Sequence, residues 1–274
     1  MKTVRERLRV AGFELEVRRH RPSEEPPEGS NGPPIVLLHE GLGSVARWAD
    51  FPHQLASRCG LEVIAYSRAG YGRSDPKPRP WADDFMHREA TEALPELLRR
   101  LQLDRPPVLV GHSDGGSIAL IAAGDADLDL EGVVALAPHL FVEPITLEGI
   151  RRVSARWRRD DGFRRAFSFH HRAGSELFEA WSDAWLRPSF KAWDISEAVR
   201  RITVPILAVQ GYDDAFGTLD QLHTLTELAP QTRRVELPDC GHAPHLERPD
   251  AVLDAIAAFL GRISSEQTPR AAAP

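Results

Sequence analysis

The sequence predicts an α/β fold: a mostly parallel twisted sheet with helices on both faces and a helical segment inserted after the sixth strand. Three observations predict it. Short, wholly apolar runs alternate with longer helical patterns along most of the chain, as in strand-helix-strand units whose sheet is buried on both faces. Gly111-His112-Ser113-Asp114-Gly115 stands between the apolar run Pro107-Val108-Leu109-Val110 and a helical stretch opening Gly116-Ser117-Ile118. From about 141 to about 199 the alternation stops, and helical patterns follow one another with no convincing strand.

Taken in order, Leu8, Val10, Phe13, Leu15 and Val17 place one apolar face on each of two short strands hinged at Ala11-Gly12, an antiparallel start to the sheet. Residues 22–34, rich in Pro, Glu, Gly, Ser and Asn, form a surface loop, because that composition offers no packed face. Ile35-Val36-Leu37-Leu38, Val63-Ile64-Ala65-Tyr66 and the run at 107–110 read as buried strands, as do Gly132-Val133-Val134-Ala135-Leu136, the run at 205–210 and Arg234-Val235-Glu236-Leu237. Helices are expected near 52–58, 85–101, 117–123, 220–228 and 250–263. The inserted segment offers helical patterns at 147–157, 163–171 and 175–186, broken by Asp160-Asp161-Gly162, Arg172-Ala173-Gly174 and Arg187-Pro188. The expected organisation is a core in two parts, 1–140 and 200–264, a helical cap at 141–199 and a flexible tail at 265–274. Trp157, Phe163, Phe167, Phe169, Phe178, Trp181, Trp185 and Trp193 make the cap aromatic. Most are expected to pack the cap onto the core, and Trp157, Trp181 and Trp185 are candidates to line an apolar pocket.

Composition narrows the function. A chain of 274 residues buries a large core, and the formal charge of −6 comes with acids and bases interleaved, so no basic footprint for nucleic acid or an anionic membrane stands out. The first residues lack a signal-like apolar core, and no run approaches the roughly 18 apolar residues of a membrane span. Two cysteines, Cys59 and Cys240, make no disulfide framework or cysteine metal site and suit a reducing compartment, so a cytoplasmic protein is expected. The arginine-rich cationic complement has no functional reading.

The chemistry centres on G-x-S-x-G. A serine at the apex of a sharp strand-to-helix turn sits in a strained backbone conformation, and side chains at 111 and 115 would collide as the helix folds back. A serine hydroxyl needs a base within hydrogen-bond reach to become a nucleophile. Downstream, the strand at 205–210 ends in Gly211-Tyr212-Asp213-Asp214, and the strand at 234–237 ends in Pro238-Asp239-Cys240-Gly241-His242. Upstream, the strand at 35–38 runs into His39-Glu40-Gly41-Leu42-Gly43-Ser44, a glycine-rich loop whose backbone N–H groups suit an oxyanion.

The chain order serine, aspartate, histidine, with an oxyanion loop upstream, resembles the α/β-hydrolase superfamily from about residue 6 to about residue 262. Arg68-Ala69-Gly70-Tyr71-Gly72-Arg73-Ser74-Asp75 is similar to that family's Arg-Gly-x-Gly-x-Ser loop. The resemblance implies Ser113 as nucleophile and His242 as base, with His245 one turn downstream as competitor. It implies Asp214 as acid, by the family's spacing after Gly211, with Asp213 the alternative. The backbone N–H groups of Gly41 and Asp114 are the implied oxyanion donors. His39 and His112 flank the site as residues with satisfied hydrogen bonds, and His112 and Glu40 join the pocket candidates.

Two departures stand out: Glu40 where the family usually has glycine, and Asp114 where the residue after the nucleophile is usually apolar. A carboxylate about 6 Å from an oxyanion costs roughly 3 kcal/mol at an effective dielectric near 20. At least one of the two is therefore expected to turn away and be held by backbone N–H groups or an arginine, or to contact a polar substrate group. The alternative for Asp114 is that it caps the following helix. Serine, rather than the aspartate that dehalogenases and epoxide hydrolases use, implies acyl transfer. The expected activity is cofactor-independent, metal-free hydrolysis of a small carboxylic ester or lactone. A carbon-carbon bond hydrolase of an aromatic ring-cleavage product, which needs an arginine for the substrate carboxylates, a cofactor-free lyase or perhydrolase, and a non-catalytic ligand-binding homologue are the alternatives.

Overall fold

The computed structural model describes residues 2–22 and 32–267. Most of the loop expected at 22–34 and of the tail expected at 265–274 lies outside them. Eight strands form one sheet. They are β1 (Lys2–Val10), β2 (Phe13–Arg21), β3 (Ile35–Leu38), β4 (Val63–Tyr66), β5 (Val108–His112), β6 (Gly132–Leu136), β7 (Ile206–Gly211) and β8 (Thr232–Leu237). Their order across the sheet is β1-β2-β4-β3-β5-β6-β7-β8. The β1–β2 hairpin, turning through Ala11 and Gly12 at positive φ, joins β4 antiparallel, and every pairing from β4 to β8 is parallel.

Alternation within strands explains their unbroken apolar sequences. Val36 and Leu38 face one core and Ile35 and Leu37 the other; Leu109 and its neighbours Val108 and Val110 divide the same way. Helices α1 (Phe51–Cys59) and α11 (Pro249–Gln267) cover one face of the sheet. Between them in sequence come α2 (Phe85–Arg88), α3 (Leu94–Leu101) and α4 (Asp114–Asp125), then α5 (Pro144–Arg159), α6 (Asp161–His170), α7 (Gly174–Leu186) and α8 (Ser196–Arg200), and finally α9 (Asp220–Leu228) and α10 (Pro244–Glu247).

The single helix expected at 85–101 is instead α2 and α3 joined by a π-helical turn, Glu89–Ala93. Pro95, at the start of α3, cannot donate to the carbonyl one turn back, and the widened turn accommodates the missing bond. Short helices α8 and α10 carry too few residues for a period to show in sequence. Helices α5 to α7 fill the interval between β6 and β7, and the one bridge in the interval pairs Phe141 with Asp194. Because β3 and β5 to β8 are parallel, their carboxyl ends share one edge, where an open α/β sheet holds its ligands. Residues 39–44, 113, 137–139, 212–214 and 238–242 all follow those ends.

Candidate active site

Ser113 joins β5 to α4 at φ +53°, ψ −120°, a conformation that non-glycine residues rarely adopt and that marks stored strain. The flanking glycines have different steric reasons. A Cβ at Gly111 would fall 2.1 Å from the Gly115 carbonyl oxygen, within the turn itself, whereas one at Gly115 would fall 2.0 Å from the Leu38 carbonyl oxygen at the end of β3. Position 115 is thus constrained by the neighbouring strand, not by the strand that carries the serine. The Ser113 N–H donates to the Leu136 carbonyl (2.9 Å), tying the turn to β6.

His242, after β8, places Nε2 2.9 Å from Ser113 Oγ and Nδ1 2.9 and 2.8 Å from the two oxygens of Asp214. The Nδ1–H tautomer that donates to Asp214 leaves Nε2 to accept from the serine hydroxyl. Asp214 also accepts the N–H groups of Phe216 (2.8 Å) and Gly217 (3.3 Å), and Gln210 Nε2 donates to it from β7 (3.2 Å). Burial alone pushes its carboxyl up, but the His242 contact and the Phe216 N–H outweigh this and hold it below the usual carboxylate range. Asp213 is exposed and meets no histidine. Gly211 makes the approach possible: a Cβ there would lie 2.0 Å from the Cys240 carbonyl oxygen. His245 is buried against Trp48 and His112, with ring centroids 4.7 Å from each, and makes no hydrogen bond to Ser113.

The loop after β3 is braced from below. The Arg68 guanidinium donates to the carbonyls of His39 (2.9 Å) and Glu40 (3.0 Å) and lies over the Tyr71 ring. His39 Nδ1 meets the Glu40 carbonyl (2.7 Å) while its Nε2 accepts the Arg68 N–H (3.1 Å), so the neutral ring is satisfied on both sides. His112 Nε2 donates to the His242 carbonyl (2.6 Å) and thus holds the backbone that carries the other imidazole. The Glu40 carboxylate turns toward His112 Nδ1 (3.6 Å), packing over Gly43, where a Cβ would collide with it. Burial raises the Glu40 carboxyl, yet the interaction with His112 prevails and sets it below its ordinary value.

Asp114 is 2 % exposed, and its Oδ2 has no hydrogen-bond partner. It does not cap α4: burial pushes its carboxyl up, while Arg68 and the nearby Trp185 indole, not a helix N–H, act in the opposite direction. Its own N–H is the first of α4 and has no acceptor within the helix.

A cavity of about 90 Å³ opens beside Ser113, lined among others by Glu40, Gly41, Asp114, His139, Trp181, Trp185, Phe216 and His242. Of the expected pocket residues, Glu40, Trp181 and Trp185 line it. Trp157 does not: its ring stacks on Phe178 at 4.2 Å inside the helical insertion. His112 does not either, because it is engaged with the His242 backbone. The sequence reading missed His139, whose ring sits 5.2 Å from Trp185 and 5.8 Å from His242. Its place three residues beyond β6 at the sheet's carboxyl edge was the available signal. Burial drives its pKa down to about 3, so the ring is neutral. Thr146, Ile150 and Val153 from α5 complete the apolar wall. Among the described residues no group of His, Cys, Asp and Glu is arranged to hold a metal ion, and no helix is long and apolar enough to cross a membrane.

Residues 35–255 match the model of the alpha/beta hydrolase family. The chain is 23% identical over 258 residues, 86% of each chain, to a 2-hydroxy-6-oxo-6-(2'-aminophenyl)hexa-2,4-dienoic acid hydrolase of Metapseudomonas resinovorans. It is 25% identical over 272 residues, 84% of this chain and 86% of the relative, to a proline iminopeptidase of Saccharolobus solfataricus. Its fold is similar to that of a thermophilic esterase from Thermogutta terrifontis, with a TM-score of 0.73 at 22% identity, covering 95% of this chain and 99% of that one.

Proposed function

The chain belongs to the alpha/beta hydrolase family, and from that premise we propose that it is a cofactor-independent serine hydrolase of a small carboxylic ester or lactone. The observation that carries the reading is the unbroken chain from Ser113 Oγ through His242 to Asp214, with contacts of 2.9 and 2.8 Å. Ser113 Oγ attacks the carbonyl carbon as His242 Nε2 takes its proton. Asp214 fixes the imidazole tautomer and stabilises the imidazolium. The N–H groups of Gly41 and Asp114 receive the developing oxyanion. Collapse expels the alcohol, protonated by His242, and leaves an acyl-serine. Water, deprotonated by the same imidazole, then attacks the acyl carbon and releases the acid and free Ser113.

The relatives' names span a dienoic acid hydrolase, an iminopeptidase and an esterase, so the lining of the cavity has to favour one substrate class. Among the described residues no arginine or lysine lines it, and Glu40 and Asp114 do. Arg68 is committed to two carbonyls. A substrate bearing carboxylates, as the ring-cleavage reading requires, finds no cation there. The volume of about 90 Å³ suits a short acyl group. In this reading helices α5 to α7 act as a cap between core segments 1–140 and 200–264. The two cysteines are free, in keeping with a cytoplasmic location.

The test is labelling with a fluorophosphonate followed by a screen of esters, lactones and vinylogous 1,5-diketones. Phosphonylation of Ser113 with turnover of short esters or lactones is expected. Selective turnover of the diketones instead contradicts the substrate class, and an unlabelled, inactive protein contradicts the enzyme reading.

A further inference from the structure

Four polar atoms around the cavity make no well-formed hydrogen bond among the described residues, although the Trp185 indole lies near the Asp114 carboxylate: Asp114 Oδ2, Trp181 Nε1, Trp185 Nε1 and His139 Nδ1. All four residues line the cavity beside Ser113, and none is more than 6 % exposed. Trp181 Nε1 and Asp114 Oδ2 both face Gly41, where a Cβ would meet them at 2.1 and 2.8 Å. Buried polar atoms are rarely left unpaired, and an unpaired carboxylate oxygen is among the most costly. Against that cost Asp114 has the nearby Trp185 indole and the charge of Arg68, but it neither caps α4 nor bonds directly to the Arg68 guanidinium, which serves the His39 and Glu40 carbonyls.

The donor and acceptor set identifies the missing group. A carboxylate oxygen needs a donor, and the indole N–H groups need an acceptor. An ammonium supplies only donors and leaves the Trp181 indole without an acceptor. A carboxylate supplies only acceptors and meets the charges of Glu40 and Asp114. A hydroxyl supplies both from one atom. Asp114 directly follows Ser113, and the cavity holds about 90 Å³, so the hydroxyl must sit close to the scissile carbonyl.

We infer that Asp114, Trp181 and Trp185 form a subsite for a hydroxyl on the acyl carbon next to the scissile carbonyl, so that the enzyme selects short 2-hydroxyacyl esters over their plain counterparts. The inference rests on the serine-hydrolase reading and narrows it. A site that hydrogen-bonds a substrate hydroxyl discriminates strongly against the analogue lacking it, since its own polar atoms are then left unpaired.

The experiment compares kcat/KM for ethyl 2-hydroxybutanoate, ethyl butanoate and ethyl 2-aminobutanoate by pH-stat. It uses the wild-type chain, Asp114→Ala, Trp181→Phe and Trp185→Phe, each checked for folding by circular dichroism and for Ser113 labelling by a fluorophosphonate. Because a 2-hydroxyl also activates an ester chemically, the readout is the change in the hydroxy-to-plain ratio between proteins. Asp114→Ala is expected to lower that ratio at least about tenfold, and each Trp→Phe change, which removes only the N–H, about threefold or more. An unchanged ratio in all three variants with Ser113 still labelled overturns the subsite and leaves the serine-hydrolase reading standing. Preference of the wild type for the amino ester over the hydroxy ester overturns it as well, in favour of an ammonium site. A wild-type protein that is neither labelled nor active overturns both. Should Asp114→Ala not fold, the two indole variants decide the matter alone.

Discussion

Trp181 seats its indole nitrogen against Gly41, leaving no room for a side chain: a Cβ at position 41 would fall 2.1 Å from Nε1. The helical insertion is thereby fitted directly onto the loop that carries a proposed oxyanion donor. Gly41→Ala displaces Trp181 and the loop together. Misplacement of about 1 Å near a reacting centre costs on the order of 100-fold in rate, and that loss in kcat/KM is expected. The same substitution is expected to alter tryptophan fluorescence, and an active Gly41→Ala protein with an unchanged spectrum contradicts the fit.

Asp214 and Asp213 are adjacent, yet only the first meets His242. Asp214→Asn removes the group that fixes the imidazole tautomer and is expected to lower kcat by about four orders of magnitude. Asp213→Asn, at an exposed position, is expected to stay within about twofold of wild type. Steady-state kinetics on one short ester gives the ranking, and the reverse order would reassign the acid.

The glycine at 111 is a folding requirement before it is a functional one. Its missing Cβ avoids the Gly115 carbonyl by a margin that only backbone movement could restore. Gly111→Ala is expected to destabilise the protein by more than about 3 kcal/mol, measured by urea denaturation. A cost under about 1 kcal/mol would mean that the elbow is looser than its geometry implies.

Buried histidines, His39, His139, His171 and His245 among them, all with pKa values lowered by burial, set an acid limit on stability. Burial holds His171, whose Nδ1 accepts the Gly72 N–H, at about 4 and His139 at about 3, against an ordinary value of 6.5. Below pH 6.5 the unfolded chain takes up protons at these positions that the folded chain does not, so stability falls with pH from about 6.5 until each folded pKa is passed. The thermal midpoint is expected to drop steadily between pH 6.5 and pH 4, with a shallower slope in His171→Gln. A flat profile over that range contradicts the buried, neutral assignment.

Much of this was legible because steric necessity leaves a trace in sequence. Gly111 and Gly115 around Ser113, and the strands ending at 211 and 237, carry residue types that their positions demand. The sheet was legible because Ile35 to Leu38 and Val108 to Val110 are apolar on both faces. The insertion was not resolved at the same level. An aromatic residue gives one hydrophobic signal whether it stacks within the helical insertion, as Trp157 does on Phe178, or lines the cavity, as Trp181 and Trp185 do. His139 follows no spacing rule, since sheet pairing rather than chain distance brings it to His242. Arg68 is one of many arginines in the sequence, and only the fold assigns it to the His39 and Glu40 carbonyls.

The central claim is that Ser113 becomes acylated. Mixing the protein with a short nitrophenyl ester, quenching in acid within milliseconds and mapping the peptides by mass spectrometry tests it directly. The account predicts a burst of about one nitrophenolate per chain with the acyl mass on the peptide containing Ser113, and neither burst nor adduct in Ser113→Ala. Turnover without an acylated peptide, or Ser113→Ala retaining more than about a tenth of wild-type activity, would contradict it.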